Sequence, residues 1–250
     1  MFQPPEIGHA TRFSIRTSEI DNRKAATVPA LLRLMHEAAM ENVLKIKLSV
    51  WDLEPHHISW VLIRKNLIIN RLPTLGESVR VVTYPVRFEK FFTLRDYRVY
   101  DAHETLIAGA TSTWLLMDTQ TRRMTRIPSF ISNLRDQMPA PENCLPQTDI
   151  RWPDFEQTDF AQSFRVGWHD LDFNNHLSNV LYVQWMLEAL PDDILQQTMP
   201  QKIYLNFKTE ARWKEELVAE TQQLESKQFL HRLRRPSDEK ILAMAYTTWG

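Results

Sequence analysis

The chain repeats one order of predicted elements, and this repetition constrains its fold more than any other feature of the sequence. In each half, a short strand precedes an apolar helix, and four strands follow the helix. The halves also end alike, with Ala-Thr-Ser-Thr-Trp at residues 110–114 and Ala-Tyr-Thr-Thr-Trp at residues 245–249, an offset of 135. A shared element order with matching ends indicates an internal duplication.

Each half predicts an antiparallel sheet wrapped around one helix. In the first half, Thr27 is the predicted N-cap and Pro29 lies in the first turn of a helix over residues 30–44. A helix followed by several strands is typical of an α+β fold, and two such units side by side can join their sheets. The predicted strands cover residues 11–21, 58–69, 78–88, 91–100 and 105–117, and in the second half 162–166, 202–207, 217–224, 229–235 and 240–249, around a helix at 178–190.

Polar sequence punctuated by prolines separates the two halves. We therefore expect an N-terminal unit over residues 1–128, a connector over residues 129–160, and a C-terminal unit over residues 161–250. The connector contains Cys144, the single cysteine of the chain. One cysteine excludes an intrachain disulfide and a four-cysteine zinc site.

The composition is that of an ordinary soluble globular protein. Hydrophobic residues make up 43% and charged residues 24% of the chain, and the net charge of -1 gives no overall basic field to attract nucleic acid. The sequence has no P-loop and no dinucleotide fingerprint, and no apolar run approaches the roughly 20 residues that span a bilayer. The N-terminus has neither a secretory nor a transit pattern, so we expect a cytoplasmic protein.

A polar stretch at residues 170–179, Asp-Leu-Asp-Phe-Asn-Asn-His-Leu-Ser-Asn, runs directly into the second predicted helix. This junction can hold polar groups at the edge of a hydrophobic space. Asp172, Asn174 and His176 are spaced by two, and in an extended segment that spacing points them to one side. A carboxylate, an amide and an imidazole can together position a carbonyl oxygen and a water, as acyl hydrolysis requires.

The same stretch fits other interpretations. Asp, Asn and Ser are preferred N-caps, so a capping loop that uses Asn175 or Ser178 is an open alternative. A metal site is disfavoured because His169 is the only second histidine near His176. A serine nucleophile lacks its Gly-x-Ser-x-Gly elbow, and Cys144 lies far in sequence from any partner. We therefore expect no metal and no cofactor.

Residues 170–188 resemble the signature of the plant and bacterial fatty acyl-ACP thioesterases. The likeness continues at residues 205–210 and, in the first half, at Trp60 and at residues 71–77, so that it covers most of the chain. It implies a tandem (double) hotdog fold, in which two long helices are each wrapped by an antiparallel sheet and the sheets are joined. The acyl-chain pocket would lie in the N-terminal unit and the catalytic residues in the C-terminal unit.

By position, the resemblance assigns the catalytic set to Asp172, Asn174, His176 and Glu210. It implies that Glu210 activates water, that Asn174 and His176 bind the thioester carbonyl, and that the carboxylate of Asp172 orients them. Many plant members have a cysteine after the glutamate, whereas this chain has Ala211. That difference argues against a cysteine nucleophile. The division of roles between His176 and Glu210 stays open.

The implied substrate is a fatty acyl group on acyl carrier protein, and the implied reaction releases free fatty acid. Candidates for the acyl slot are Met35, Ala39 and Trp60, each of which is equally explained as core. Candidates for a basic surface that would meet the acidic carrier are Arg122, Arg123, Arg126, Lys208 and Arg212. An acyl-CoA thioesterase and a non-catalytic acyl-binding hotdog protein stay open as alternatives, as does a homodimer. A hydratase is disfavoured, because no aspartate lies five residues before His176.

Overall fold

The computed structural model describes residues 2–250, which divide into two compact units. The first ends at Thr148, and the second is Asp149–Gly250. In each unit, helices pack against an antiparallel sheet, as the sequence predicts. No helix within residues 2–250 is long and apolar enough to cross a membrane.

The first unit has five main strands in the order β1-β3-β4-β5-β2, and the short β6 pairs with β5. All neighbouring strands are antiparallel. The elements of this unit are β1 (His9–Ser14), α1 (Val28–Lys45), α2 (Val50–Leu53), β2 (Ile58–Ile69), β3 (Ser78–Phe88), β4 (Phe92–Tyr100), β5 (Leu106–Asp118), β6 (Met124–Thr125) and α3 (Ser129–Ser132).

Helix α1 begins where the sequence predicts. Thr27 is its N-cap, and the Thr27 hydroxyl accepts the N–H of Ala30 at 3.2 Å. Leu32, Met35 and Ala39 are buried on this helix, which packs against β1 and β3. Its apolar face therefore covers the inner face of the sheet.

The second unit has the strand order β8-β11-β10-β9-β7, again antiparallel. Its central helix has 10 residues, fewer than the 13 of the predicted range 178–190 and fewer than the 18 of α1. The helix ends early because Pro191 disfavours the helical conformation at the residue before it. The elements are β7 (Phe160–Arg165), α4 (Asn179–Glu188), α5 (Asp192–Gln197), β8 (Pro200–Phe207), β9 (Glu216–Glu225), β10 (Gln228–Arg235) and β11 (Lys240–Trp249).

The internal duplication is confirmed by the topology. When β7 to β11 are matched in chain order to β1 to β5, both units have the same strand order. The repeat extends to side chains at the matching ends of β5 and β11. The Trp114 indole donates to the Ser112 hydroxyl at 2.8 Å, and the Trp249 indole donates to the Thr247 hydroxyl at 2.9 Å.

The proline-rich connector is divided between the units. Near its middle, the N–H of Leu145 donates to Asp96 Oδ2 at 2.5 Å, within the first unit. Near its end, the N–H of Glu156 donates to Gln222 Oε1 at 2.8 Å, within the second unit. The boundary between the compact units, after Thr148, falls inside the predicted connector, whose finer limits stay a prediction.

The first strand is shorter than the predicted 11–21, because a 3-10 turn at Thr17–Glu19 follows β1. The Glu19 carboxylate accepts the backbone N–H of Arg16 at 2.8 Å and pairs with its guanidinium. This local bond stabilises a turn where the loose alternation of the sequence had indicated a strand.

Candidate active site

The polar stretch folds as a tight loop. Leu171 and Leu177 form an antiparallel bridge, and the N–H of Asp172 donates to the carbonyl of His176 at 2.8 Å. Asn175 has a φ of 59°, in the left-handed region that asparagine tolerates better than most residues. The expectation of an extended segment was therefore wrong, because a turn residue lies between Asn174 and His176.

The Asp172 carboxylate shapes this loop. Its Oδ1 accepts the backbone N–H of Asn174 at 2.8 Å and that of His176 at 3.2 Å. A short carboxylate commonly bonds to backbone two residues further on, which is why aspartate favours such turns. Burial raises the pKa of Asp172, and the two backbone hydrogen bonds oppose that rise. Asp172 thus holds the backbone of Asn174 and His176 in the turn.

The capping alternative assigned Asn175 or Ser178 to the helix start. Ser178 does occupy the N-cap position of α4, but its side chain makes no capping hydrogen bond within the described chain. Its carbonyl instead accepts the N–H of Leu181 at 2.8 Å. Asn175 lies in the turn of the loop, where it adopts the left-handed conformation. Helix capping by side chains therefore does not explain why the stretch is so polar.

Glu210 lies in the loop that follows β8. Glu210 Oε1 is 3.3 Å from His176 Nε2 and 3.8 Å from Arg212 Nη2. The Glu210 and His176 side chains are 27% and 21% exposed, so a small molecule can reach both. The fold therefore brings together an imidazole and a carboxylate that are 34 residues apart in the sequence.

Tyr182 on α4 holds the backbone on both sides of Glu210. Its hydroxyl donates to the carbonyl of Thr209 at 3.2 Å and accepts the N–H of Ala211 at 2.7 Å. Burial raises the pKa of the Tyr182 hydroxyl, which stays protonated and able to donate. The N–H of Leu177 also donates to the carbonyl of Ala211, at 2.9 Å. These bonds fix the Glu210 segment to both α4 and the polar loop.

Sequence reasoning missed Tyr182. The available signal was a tyrosine within the apolar pattern of α4, because a buried tyrosine hydroxyl usually has a hydrogen-bond partner. The sequence could not identify that partner, since Thr209 and Ala211 lie 27 and 29 residues further along the chain.

The second unit carries a group of exposed aromatic and basic side chains, among them Trp213, which lies three residues after Glu210 in the sequence. Trp168 is 60% and Trp213 46% exposed, and their rings meet edge to face with centroids 5.2 Å apart. The Lys214 ammonium lies 4.2 Å from the centroid of the Trp213 ring. The basic candidates Lys208 and Arg212 are exposed in the same segment.

The remaining predicted residues belong to the first unit. Arg122, Arg123 and Arg126 are exposed after β5, and they stay candidates for the carrier surface. Among the acyl-slot candidates, Met35 is fully buried and Ala39 is 7% exposed on α1. Trp60 is partly buried in a core cluster, and its indole donates to the carbonyl of Leu48 at 3.1 Å. Packing accounts for all three, and their role in acyl binding stays a prediction.

Solved structures share this fold. The 12:0-ACP thioesterase from Umbellularia californica has a TM-score of 0.87 and 21% identity, with 100% of this chain and 99% of that chain covered. An acyl-ACP thioesterase from Bacteroides thetaiotaomicron also has a TM-score of 0.87, at 17% identity, with 98% of each chain covered. At these identities the likeness shows the hotdog fold alone.

Among curated proteins, the chloroplastic palmitoyl-acyl carrier protein thioesterase of Cuphea hookeriana is 28% identical, with 79% of this chain and 50% of that protein covered. The chloroplastic oleoyl-acyl carrier protein thioesterase 1 of Arabidopsis thaliana is 25% identical, with 97% of this chain and 76% of that protein covered. The chain thus spans about half the length of the Cuphea relative.

Family models give the decisive match. The model of the acyl-ACP thioesterase N-terminal domain matches residues 6–134, and the model of the C-terminal domain matches residues 154–250. The second match contains the polar loop, Tyr182 and Glu210. Because the two matches cover both units almost completely, this chain belongs to the acyl-ACP thioesterase family.

Proposed function

We propose that this protein hydrolyses the thioester of fatty acyl-ACP and releases free fatty acid and the carrier protein. The observation that carries the proposal is the 3.3 Å contact between His176 and Glu210, in a chain of this family. The relatives described above are named for thioesters of acyl carrier protein, which supports the same substrate class for this chain.

In the proposed mechanism, Glu210 takes a proton from a water as that water attacks the thioester carbonyl. An ionised carboxylate only accepts hydrogen bonds and has several lone pairs, so it can face His176 and a water together. The amide of Asn174 and a ring N–H of His176 donate to the carbonyl oxygen as negative charge develops there. The carbon–sulfur bond then breaks, and the leaving thiolate takes up the proton that Glu210 received.

Attack by water, without a protein nucleophile, is favoured by the neighbours of Glu210. Ala211 follows Glu210 and is fully buried. Cys144 belongs to the first unit, and burial raises the pKa of its thiol, which is opposite to what a reactive thiolate requires. Neither residue offers a nucleophile, so the acyl group passes directly to water.

Replacing Tyr182 by phenylalanine is expected to lower kcat by about tenfold, with a much smaller change in KM. The substitution leaves the carbonyl of Thr209 and the N–H of Ala211 without their partner, and a lost buried hydrogen bond costs about 1–3 kcal/mol. Tyr204→Phe is the matched control, because Tyr204 is a buried tyrosine of the same unit that stacks on Tyr246. If kcat of Tyr182→Phe equalled that of the control, the hydroxyl would not position Glu210.

The carrier would dock on the basic residues near Glu210, and we propose Lys208 and Arg212 as its contacts. Acyl carrier protein is acidic, so a basic surface would speed its encounter with the site. Trp168 and Trp213 add exposed apolar area of the kind that interfaces use. We also propose that the protein acts in fatty acid biosynthesis in the cytoplasm, whereas the relatives described above are chloroplastic.

The decisive experiment compares kcat/KM for dodecanoyl-ACP and dodecanoyl-CoA by release of free fatty acid. We expect at least a tenfold preference for the carrier protein, and we expect Lys208→Glu to reduce it by weakening electrostatic attraction. Lys202→Glu is the control, since Lys202 is also an exposed lysine of the second unit. Equal rates on both substrates would favour an acyl-CoA thioesterase. Acyl binding with no hydrolysis of either would favour a non-catalytic binding protein.

A further inference from the structure

Two cationic side chains lie inside the first unit. Lys65 of β2 and Arg95 of β4 both pair with Ser112 of β5, so the three residues form a row across one face of the sheet. Lys65 is 7% exposed, Arg95 6% and Ser112 2%. The Arg95 guanidinium donates to Asn42 Oδ1 of α1 at 2.8 Å, so this face is the one that α1 covers.

Neither cation has a carboxylate partner among the described residues. Arg95 Nη1 donates to Asn42 Oδ1 and to Thr83 Oγ1, the latter at 3.1 Å. The Lys65 ammonium lies 4.3 Å from the centroid of the Tyr97 ring. Asp96 follows Arg95 but lies on the opposite face of β4, where its Oδ2 accepts the N–H of Leu145.

The electrostatics of this row follow from burial and from the nearness of like charges. Burial and the charge of Arg95 lower the pKa of Lys65 to about 7. Burial and the charge of Lys65 lower the pKa of His36 on α1 to about 4, so this imidazole is neutral near pH 7 and adds no charge to the row. Buried charges are normally paired, because taking an ion out of water is costly.

The second unit shows that the fold does not need these cations. Its tryptophan–hydroxyl pair, Trp249 with Thr247, matches Trp114 with Ser112. In the row through Thr247, the strand positions that correspond to Lys65 and Arg95 are occupied by Ile203 and Phe229. Both are fully buried apolar residues. An apolar row therefore builds the same sheet, and the charged row of the first unit calls for another explanation.

We propose that Lys65 and Arg95 bind the carboxylate of a fatty chain in the interior of the first unit, between the sheet and α1. The Lys65 ammonium and the guanidinium groups Nε and Nη2 of Arg95 would donate to it, and hydrogen bonds of this charged kind are the strong ones. Met35 and Ala39 of α1 and Leu67 of β2 are buried in the same unit and would offer apolar contact to the chain.

The identity of the ligand rests on the proposed function, which supplies two sources of such a carboxylate. One is the free fatty acid that hydrolysis releases. The other is an acyl chain that carries a second carboxylate at the end remote from its thioester. Both present the same chemistry to Lys65 and Arg95, namely one anionic head on an apolar body.

Binding is tested first, by calorimetry with dodecanoate and with dodecanol, which has the same chain and no carboxylate. We expect dodecanoate to bind at least about tenfold more tightly, since a charged hydrogen-bond partner is worth that much or more. Lys65→Met should abolish this preference, and Lys90→Met should keep it. Lys90 is the matched control, because it is an exposed lysine of the same unit whose ammonium also lies over an aromatic ring.

The melting temperature of each variant without ligand shows whether the variant is folded, so that a loss of binding can be assigned to the lost side chain. Lys65→Met should melt at or above the temperature of the wild type, because it removes a buried amine whose charged form is costly in the interior. A folded Lys65→Met protein that retained the preference for dodecanoate would overturn the proposal. So would equal binding of dodecanoate and dodecanol by the wild type.

Hydrolysis then separates the two sources. If the free acid is the ligand, dodecanoate inhibits the hydrolysis of dodecanoyl-ACP, and Lys65→Met relieves the inhibition. If the acyl chain is the ligand, the wild type prefers 11-carboxyundecanoyl-ACP to dodecanoyl-ACP, and Lys65→Met loses that preference. Carboxylate binding without hydrolysis of either substrate would support the site and overturn the proposed thioesterase function, so the two failures are distinguishable.

Discussion

Replacing Glu210 by glutamine is expected to lower kcat on acyl-ACP by about 10²- to 10⁴-fold, the range over which a general base contributes. The substitution keeps the size of the side chain and removes the charge that accepts a proton from water. Because the backbone around Glu210 is held by Tyr182 and Leu177, the glutamine should occupy the same place. KM should change much less than kcat, since the carboxylate acts on water and not on the bound acyl chain.

The control for this substitution is Glu188→Gln. Glu188 is an exposed acid at the end of α4 in the same unit, and its loss should leave kcat unchanged. Thermal unfolding of both variants would show that the fold persists. A folded Glu210→Gln protein with turnover within about threefold of the wild type would exclude the general-base role.

The strands were predicted well because their pattern is local. The bounds of β2, β3 and β11 agree with the predicted ranges at both ends. These strands alternate or carry β-branched residues between clear turn signals, and such patterns depend little on the rest of the chain. The short helices α2 and α5 were not predicted, because four to six residues carry too little periodicity to distinguish a helix from a loop.

Only part of the candidate site could be predicted from the sequence. Local spacing identified the polar loop, but it gave the wrong conformation, since the turn at Asn175 and the two bonds to Asp172 depend on a backbone path that alternation does not encode. Spacing carried no information about Glu210, which entered through resemblance alone. The contact between His176 and Glu210 exists because tertiary hydrogen bonds join α4 and the loop after β8.

The interior of the first unit shows a different limit of sequence reasoning. Lys65 lies between Arg64 and Asn66 in β2, and a lysine in such a polar run is ordinarily read as an exposed position. Only the register with Ser112 and Arg95 reveals that it points under α1. Comparison with Ile203 and Phe229 then shows that the charge is particular to one copy of the repeat.

Replacing Asn174 by alanine is expected to lower kcat by about 10²- to 10³-fold, as the loss of one oxyanion donor does. The Asn174 side chain is exposed, and its backbone N–H is bound to the Asp172 carboxylate. Truncation beyond Cβ therefore removes the donating amide without removing the bond that sets the loop. The expected loss falls on kcat, because the amide bonds most strongly to the oxygen when it carries negative charge.

The variant Asn174→Asp distinguishes the hydrogen bond donated by the Asn174 amide from the space that the side chain fills. The aspartate has nearly the same size but no N–H, and its charge repels the developing oxyanion, so its kcat should be at or below that of Asn174→Ala. Parallel measurements on both variants with dodecanoyl-ACP, together with their melting temperatures, check this order. If Asn174→Asp kept most of the wild-type activity, Asn174 would not donate to the carbonyl. The stabilisation of the oxyanion would then rest on a ring N–H of His176.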